Sequence, residues 1–334
     1  MEEKTNINLT SAEMSGLWTQ YIGDTLAVCV NSYFLEKVED EEIRPIIKWT
    51  LDTAKENVSI MQELFQKENF PIPIGFTEED VNTKAPRLFT DTFFLNYLSQ
   101  MAVSAMTAGS AGLTVATRPD VVTFHKRILN KGVELRDRTR DLMLKQGVYV
   151  KPPYIPIPDK VDFIEKQTYL TGFFGKKRSI NSLEITHLYL NTLINAIGKE
   201  IVTGFGQTAQ NEDVKQYFLR GKELAQKYVD TFSHFLTKED LPAPISSGST
   251  VLDTTASVFS DKLMMFHVTT MVATGIGYYG MALAASPRKD LGLKYISIIP
   301  EVALYVEDGA NIMIKHGWME EPPQAVDHDQ LIQQ

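Results

Sequence analysis

Apolar residues recur along this chain at the spacing of a helix. Ile43, Ile47, Ala54, Val58, Met61 and Phe65 fall on one face, with charged residues between them. Val214, Phe218, Ala225, Val229, Phe232 and Leu236 do the same further on, and each lies 171 positions after its counterpart in the first set. The shift is general. "TSAEMSGLW" (10–18) overlies "NSLEITHLY" (181–189), and Glu41, Lys67, Glu68, Pro71 and Pro73 meet Glu212, Lys238, Glu239, Pro242 and Pro244. After one deletion the shift becomes 170, so that Arg118 and Asp120 meet Arg288 and Asp290, and "QGVYVKPP" (146–153) meets "HGWMEEPP" (316–323). A period this long implies duplicated domains, not a solenoid of small units. The expected organisation is a first bundle over 8–150, a joiner over 151–180 and a second bundle over 181–325.

Each half predicts four helices. The first begins at Thr10 or Asn181, each with Glu three residues on, the pattern of a capping box. The second begins near Asp40 or Asn211 and stops at Pro71 or Pro242. The fourth begins after Thr117, or at Ser286 before Pro287, and ends at Gly147 or Gly317 in a left-handed cap. Gly132 and Pro300 predict irregularities inside the fourth helices.

The third helix of each half carries almost no charge. Residues 92–117 contain no Asp, Glu, Lys or Arg, and 263–287 repeat the pattern. Nine of the 26 residues in 92–117 are Ser, Thr, Asn or Gln, and seven are Gly or Ala. A bilayer-spanning helix is usually richer in Leu, Ile, Val and Phe. With three amphipathic helices beside it in each half, such a segment reads as the central helix of a bundle, shielded from water and lipid. About 20 residues separate the second and third helices, enough to travel the length of a bundle. The fold class is therefore all-α: two tandem four-helix bundles, ferritin-like, each with a long crossover between helices 2 and 3.

Composition narrows the chemistry. The net charge of −9 offers no basic surface for nucleic acid. Cys29, the single cysteine, excludes an intramolecular disulfide and lies in the apolar stretch "TLAVCV". The N-terminal residues carry no signal-peptide pattern, which leads to an expected cytoplasmic setting. The di-metal pattern of ferritin-like bundles is not met: the fourth helices contain no Glu-x-x-His, and the third helices carry no carboxylate inside their uncharged runs. A smaller grouping remains. Glu184 and His187 form one Glu-x-x-His at the start of the fifth helix, and antiparallel packing would bring His234 near them. Two imidazoles and a carboxylate can hold zinc or another divalent metal with an open position. Against this, Glu184 is already explained by its capping box, and the first half has Glu13, Gly16 and Glu63 at these positions. His267, alone in an apolar helix, reads as a core residue. The joiner "KPPYIPIPDKVDFIEKQTYLTGFF" is stiffened by prolines. Its Phe163, Leu170, Phe173 and Phe174 are expected to pack between bundles, or to form a docking surface for a partner.

"TYLTGFFGKKR" with "NSLEITHLYLN", then "FSDKLMMFH" (259–267) and "HGWMEEPPQA" (316–325), resemble an uncharacterised family of spore-forming bacteria. Its members carry tandem ferritin-like four-helix domains and are often labelled spore coat proteins, by similarity to coat protein F. The resemblance covers roughly residues 8–330. It implies the same fold and a spore-associated setting, and it brings no catalytic residues with it. Two functional expectations stand: a non-enzymatic structural or interaction protein engaged in coat assembly, or a metal- or small-ligand-binding protein with its site in the second bundle.

Overall fold

Thr10 and Asn181 do start the first helix of each half in the computed structural model, which describes residues 8–172, 177–244 and 250–333. The Thr10 hydroxyl accepts the Glu13 N–H while the Glu13 carboxylate accepts the Thr10 N–H at 2.9 Å, and Asn181 and Glu184 repeat the exchange. The first half contains α1 (Ser11–Lys37), α2 (Arg44–Lys67), α3 (Asp91–Val115) and α4 (Pro119–Lys145). The second contains α5 (Ser182–Thr208), α6 (Glu212–Thr237), α7 (Asp261–Ala285) and α8 (Lys289–Lys315), with a short α9 (His328–Gln333) after them. No strand runs through the described residues; an isolated bridge joins Phe89 to Val251.

Several helix boundaries differ from the sequence expectation for local reasons. α2 starts at Arg44, not Asp40, because the Asp40 carboxylate takes the Glu42 N–H into a turn and Pro45 occupies the first helical turn. α8 starts after Arg288, and Ser286 instead follows the last turn of α7. The second helices stop before their prolines. Asn69 and Asp240 turn left-handed, at φ 52° and 57°, and Phe70 and Leu241 donate back to Phe65 and Leu236. Gly147 and Gly317 adopt the predicted left-handed geometry, at φ 70° and 68°. α8 continues through Pro300. At Gly132 a side chain would meet the Met106 backbone nitrogen at 2.8 Å, so this glycine marks a close approach of α3 and α4.

The crossover is fixed by which helix ends meet. In the second half, Glu184 at the start of α5 accepts the Arg288 N–H at the start of α8, and Arg288 pairs with Glu239 at the end of α6. Asp261, at the start of α7, accepts N–H groups of Gln210 and Asn211 between α5 and α6. The chain leaves α6 at one end of the bundle and begins α7 at the other, as a long crossover requires. In the first half, Glu13 meets Arg118, Arg118 meets Glu68, and Phe94 stacks on Phe34 at 4.2 Å with the same consequence.

Two compact units emerge, and they exchange short pieces of chain. One holds the chain up to Lys84, Phe94–Gly147 and the chain from Met319; the other holds Ala85–Phe93 and Val148–Trp318. Leu88 and Thr90 hydrogen-bond along the backbone to Leu252 and Thr250, which ties 85–93 into the second unit. The Glu320 carboxylate accepts the Ile74 and Gly75 N–H groups, which ties the C-terminal piece into the first.

The third helices depart from the expectation that their neighbours wrap them. Their first halves are core: Phe93, Phe94, Leu95 and Leu98 in α3, and Leu263, Met264, Met265 and Val268 in α7, are fully buried. Their second halves turn an uncharged face outward, at Ser104, Thr107, Ala108 and Ala111 in α3 and at Thr270, Ala273, Thr274, Gly277, Gly280 and Ala284 in α7. By length and composition α7 could also cross a bilayer.

Candidate functional site

The carboxylate singled out in the sequence sits in a structural corner. Glu184 is completely buried. One of its oxygens accepts from Asn181 N–H and Arg178 Nη1, and the other from Arg288 N–H and Arg178 Nη2, at 2.7–3.1 Å. Burial opposes its charge, but the Arg178 guanidinium and the two backbone donors outweigh it and hold the carboxyl below its ordinary value. Arg288, equally buried, spans Asp290 and Glu239. The first half builds the same corner from Glu13, Arg118, Asp120 and Glu68. There, burial is again outweighed, by N–H groups of Arg118, Thr10 and Thr117, and the Glu13 carboxyl falls to about 2. One substitution explains the difference between the corners. Thr117 gives one Glu13 oxygen an N–H and a hydroxyl, whereas its counterpart Pro287 has neither to give, and Arg178 donates instead, once to each oxygen of Glu184.

The two histidines do not complete a ligand set with Glu184. His187 lies three residues on along α5, half-buried, and burial pushes its imidazole below the ordinary value. His234 is exposed near the end of α6. Among the described residues no group of three His, Cys, Asp or Glu side chains is set to hold a metal. In α7, His267 packs beside Phe205 of α5, and burial lowers its pKa to about 4, which keeps it neutral. Cys29 is buried, and its thiol donates to the Thr77 carbonyl.

Sequence reasoning missed a hollow at the centre of each bundle, at matching positions. The first is lined by Gln20, Asp24, Trp49, Thr50, Asn57 and Lys131, among others, and the second by Asn195, Gly221, Tyr228, Met271, Gly275 and Tyr279, among others; each holds about 60 Å³ of room for water-sized molecules. Asp24 and Asn195 are counterparts, as are Asn57 and Tyr228. Their chemistry has diverged. Burial raises the Asp24 carboxyl to about 7, against hydrogen bonds from Gln20 and Asn57. The second hollow has no charged residue in its lining. A lone acid inside the apolar run "YIGDTLAVCV" was the available signal for the first.

The joiner differs from expectation. Its later part is anchored: the Tyr169 ring lies 4.0 Å from the Arg178 guanidinium, and its hydroxyl accepts from Asn181. Its earlier part is bare. Tyr154, Ile155, Ile157, Val161, Phe163 and Ile164 are all exposed, Ile157 by 91% and Phe163 by 85%. Phe163 therefore does not pack into a groove, and Leu170 is also exposed. Phe173 and Phe174 lie outside the described residues.

The family described as "Protein of unknown function (DUF3231)" matches this chain twice, over residues 2–161 and 169–331. No curated protein matches it. A solved structure that resembles it, described as a "putative spore coat protein" from Bacillus halodurans, is 16% identical, covers 46% of this chain and 98% of its own, and superposes with a TM-score of 0.41.

Proposed function

The chain belongs to the DUF3231 family, in two tandem copies, and from that premise we propose that it is a non-enzymatic interaction protein that assembles with further copies of itself, in the setting of a spore coat. The observation that carries this reading is the bare joiner. Burying one large apolar side chain is worth about 1.5–3 kcal/mol, and Tyr154–Ile164 leaves six of them in water on a stretch stiffened by Pro156 and Pro158. A proline-stiffened segment loses little conformational freedom when it docks. The same chain supplies a fitting surface. The outer face of α7 is uncharged from Leu263 to Ala285, and Gly277 and Gly280 have nothing within 4 Å of where a side chain would stand. Both surfaces are exposed within one copy, so each is free to meet the other in a second copy. Such head-to-tail contacts do not have to close, and they can propagate into extended assemblies, as a coat requires.

Sedimentation velocity on the full chain tests the proposal. Self-association should rise with concentration and vanish in Ile157→Asp/Phe163→Asp. Ala273→Glu/Gly277→Glu, altered on α7, should also be monomeric. An equimolar mixture of the two variants should form a dimer that stops there, since one intact joiner and one intact face remain. A wild-type chain that stays monomeric at about 100 μM, or that instead floats with lipid vesicles through α7, would refute self-assembly.

A further inference from the structure

We infer that the hollow at the centre of the second bundle is a binding site for a small neutral molecule with one aromatic ring and one hydroxyl group. All four long helices of that half contribute to its wall, and the hollow, which opens to solvent, holds about 60 Å³ of room for water-sized molecules. Small-ligand sites are concave, mostly apolar and supplied with a few placed polar groups.

The glycines are the first argument. Gly198, Gly221 and Gly275 line the hollow where the first bundle has Ala27, Thr50 and Ala105. Glycine inside a helix is destabilising relative to alanine, so each invites a structural reason. Gly221 has one: a side chain there would lie 2.2 Å from the Tyr305 hydroxyl. The other two do not. A Cβ at Gly275 would meet nothing within 4 Å, and one at Gly198 would meet only the Met271 methyl, at an ordinary 3.5 Å. Packing does not demand glycine at these two positions. What glycine leaves there is bare backbone along the wall, against which a flat ring can lie.

The lining identifies the occupant. Tyr228 and Tyr279 stand edge-to-face, with ring centroids 6.1 Å apart and planes at 72°, and Met271 adds a sulfur to the same wall. An aromatic ring entering this space meets the ring edges and faces that aromatic pairs prefer, and sulfur favours the same partner. No charged side chain lines the hollow, so a charged ligand would be desolvated without a counter-ion. Tyr228 and Tyr305 of the lining give their hydroxyls to the Glu301 carboxylate and the Tyr217 carbonyl, which leaves Asn195 and Tyr279 as the polar anchor. The Asn195 amide donates to the Tyr279 hydroxyl at 2.8 Å, and that hydroxyl lies 3.1 Å from Asn195 Oδ1. A ligand hydroxyl can insert into this pair as both donor and acceptor.

Phenol is the probe, with cyclohexanol as its saturated counterpart. Calorimetric titration of the full chain should give one phenol site, with a dissociation constant of about 1 mM or tighter, and cyclohexanol should bind at least about fivefold more weakly. Gly275→Leu fills the hollow from an open position and should weaken phenol at least tenfold with helicity unchanged. Asn195→Leu should also weaken it. If Gly275→Leu fails to fold, Gly275→Ala serves, with an expected loss of about threefold alongside a raised Tm. Asp24→Asn, in the first hollow, should bind phenol as the wild type does. Absence of saturable phenol binding, equal affinity for cyclohexanol, or unchanged affinity in the folded Gly275 variants would overturn the assignment.

Discussion

Replacing Asp24 by Asn tests the electrostatics of the first hollow. Asp24 is 7% exposed, and burial lifts its carboxyl from 3.8 to about 7. Gln20 on its own helix and Asn57 on α2 donate to it; Arg127 on α4 acts at longer range, itself held by Asn57 and Glu56. Lys131 of α4 also lines the space, while α3 brings only the neutral Met101 and Ala105. The pKa is raised on folding, so between about 4 and 7 the folded protein binds more protons than the unfolded chain. Stability must therefore fall as pH rises through that window. A displacement of about three pH units corresponds to roughly 4 kcal/mol at its full extent. Asn keeps the shape without the charge: a flipped Gln20 amide can accept from its NH2 group while Asn57, held by Arg127, still donates to its oxygen. Urea unfolding at pH 5, 6, 7 and 8, followed by tryptophan fluorescence, should give a variant-minus-wild-type difference that grows with pH and favours the variant by about 2–4 kcal/mol at pH 8. A difference that does not change with pH, or a variant less stable than the wild type at pH 8, would refute the reasoning.

Arg178→Ala strips two of four donors from the buried Glu184 and should cost about 3 kcal/mol in urea unfolding; adding Pro287→Thr should recover part of it by restoring the donors that Thr117 gives Glu13. A loss below about 1 kcal/mol would mean that the corner tolerates an under-bonded carboxylate. Gly112→Ala would put a Cβ 2.2 Å from the buried His125 ring and should destabilise by about 1–3 kcal/mol in the same assay. Gly275→Ala should do the reverse and stabilise the ligand-free protein by about 0.5–1 kcal/mol, read as a higher Tm. Chelation should leave the Tm unchanged, since Glu184 already accepts four hydrogen bonds; a drop of several degrees restored by zinc and absent from His187→Ala would contradict this.

How much was legible in the sequence depends on whether a feature is periodic. The helices, their caps and the duplication rest on local spacing, and Thr10–Glu13 and Asn181–Glu184 behave as that spacing implies. The repeat aligned the residues of the matched corners, Glu68 with Glu239 and Arg118 with Arg288, but spacing alone did not say that they would meet Glu13 and Glu184. The start of α2 was misjudged because the Asp40 turn mimics a cap. The outer faces of α3 and α7 were misread for a deeper reason: lack of charge signals an absence of repulsion from apolar surroundings, and it cannot say whether the chain's own core or a second molecule provides them. The hollows were invisible because they arise where four helices meet, although Asp24 and the alignment of Gly198 and Gly275 with alanines were there to be noticed. The joiner was half legible: its stiffness follows from its prolines, while its exposure required coordinates.

Disulfide trapping between variants with one added cysteine each tests the central claim most directly, because the native Cys29 is buried and contributes little background. Phe163→Cys puts a thiol on the joiner and Gly277→Cys puts one on α7. Under mild oxidation, a covalent dimer should form rapidly in an equimolar mixture of the two variants and only slowly in either alone. Equal cross-linking in Phe163→Cys alone, or none in the mixture, would contradict docking of the joiner onto α7 of a second copy.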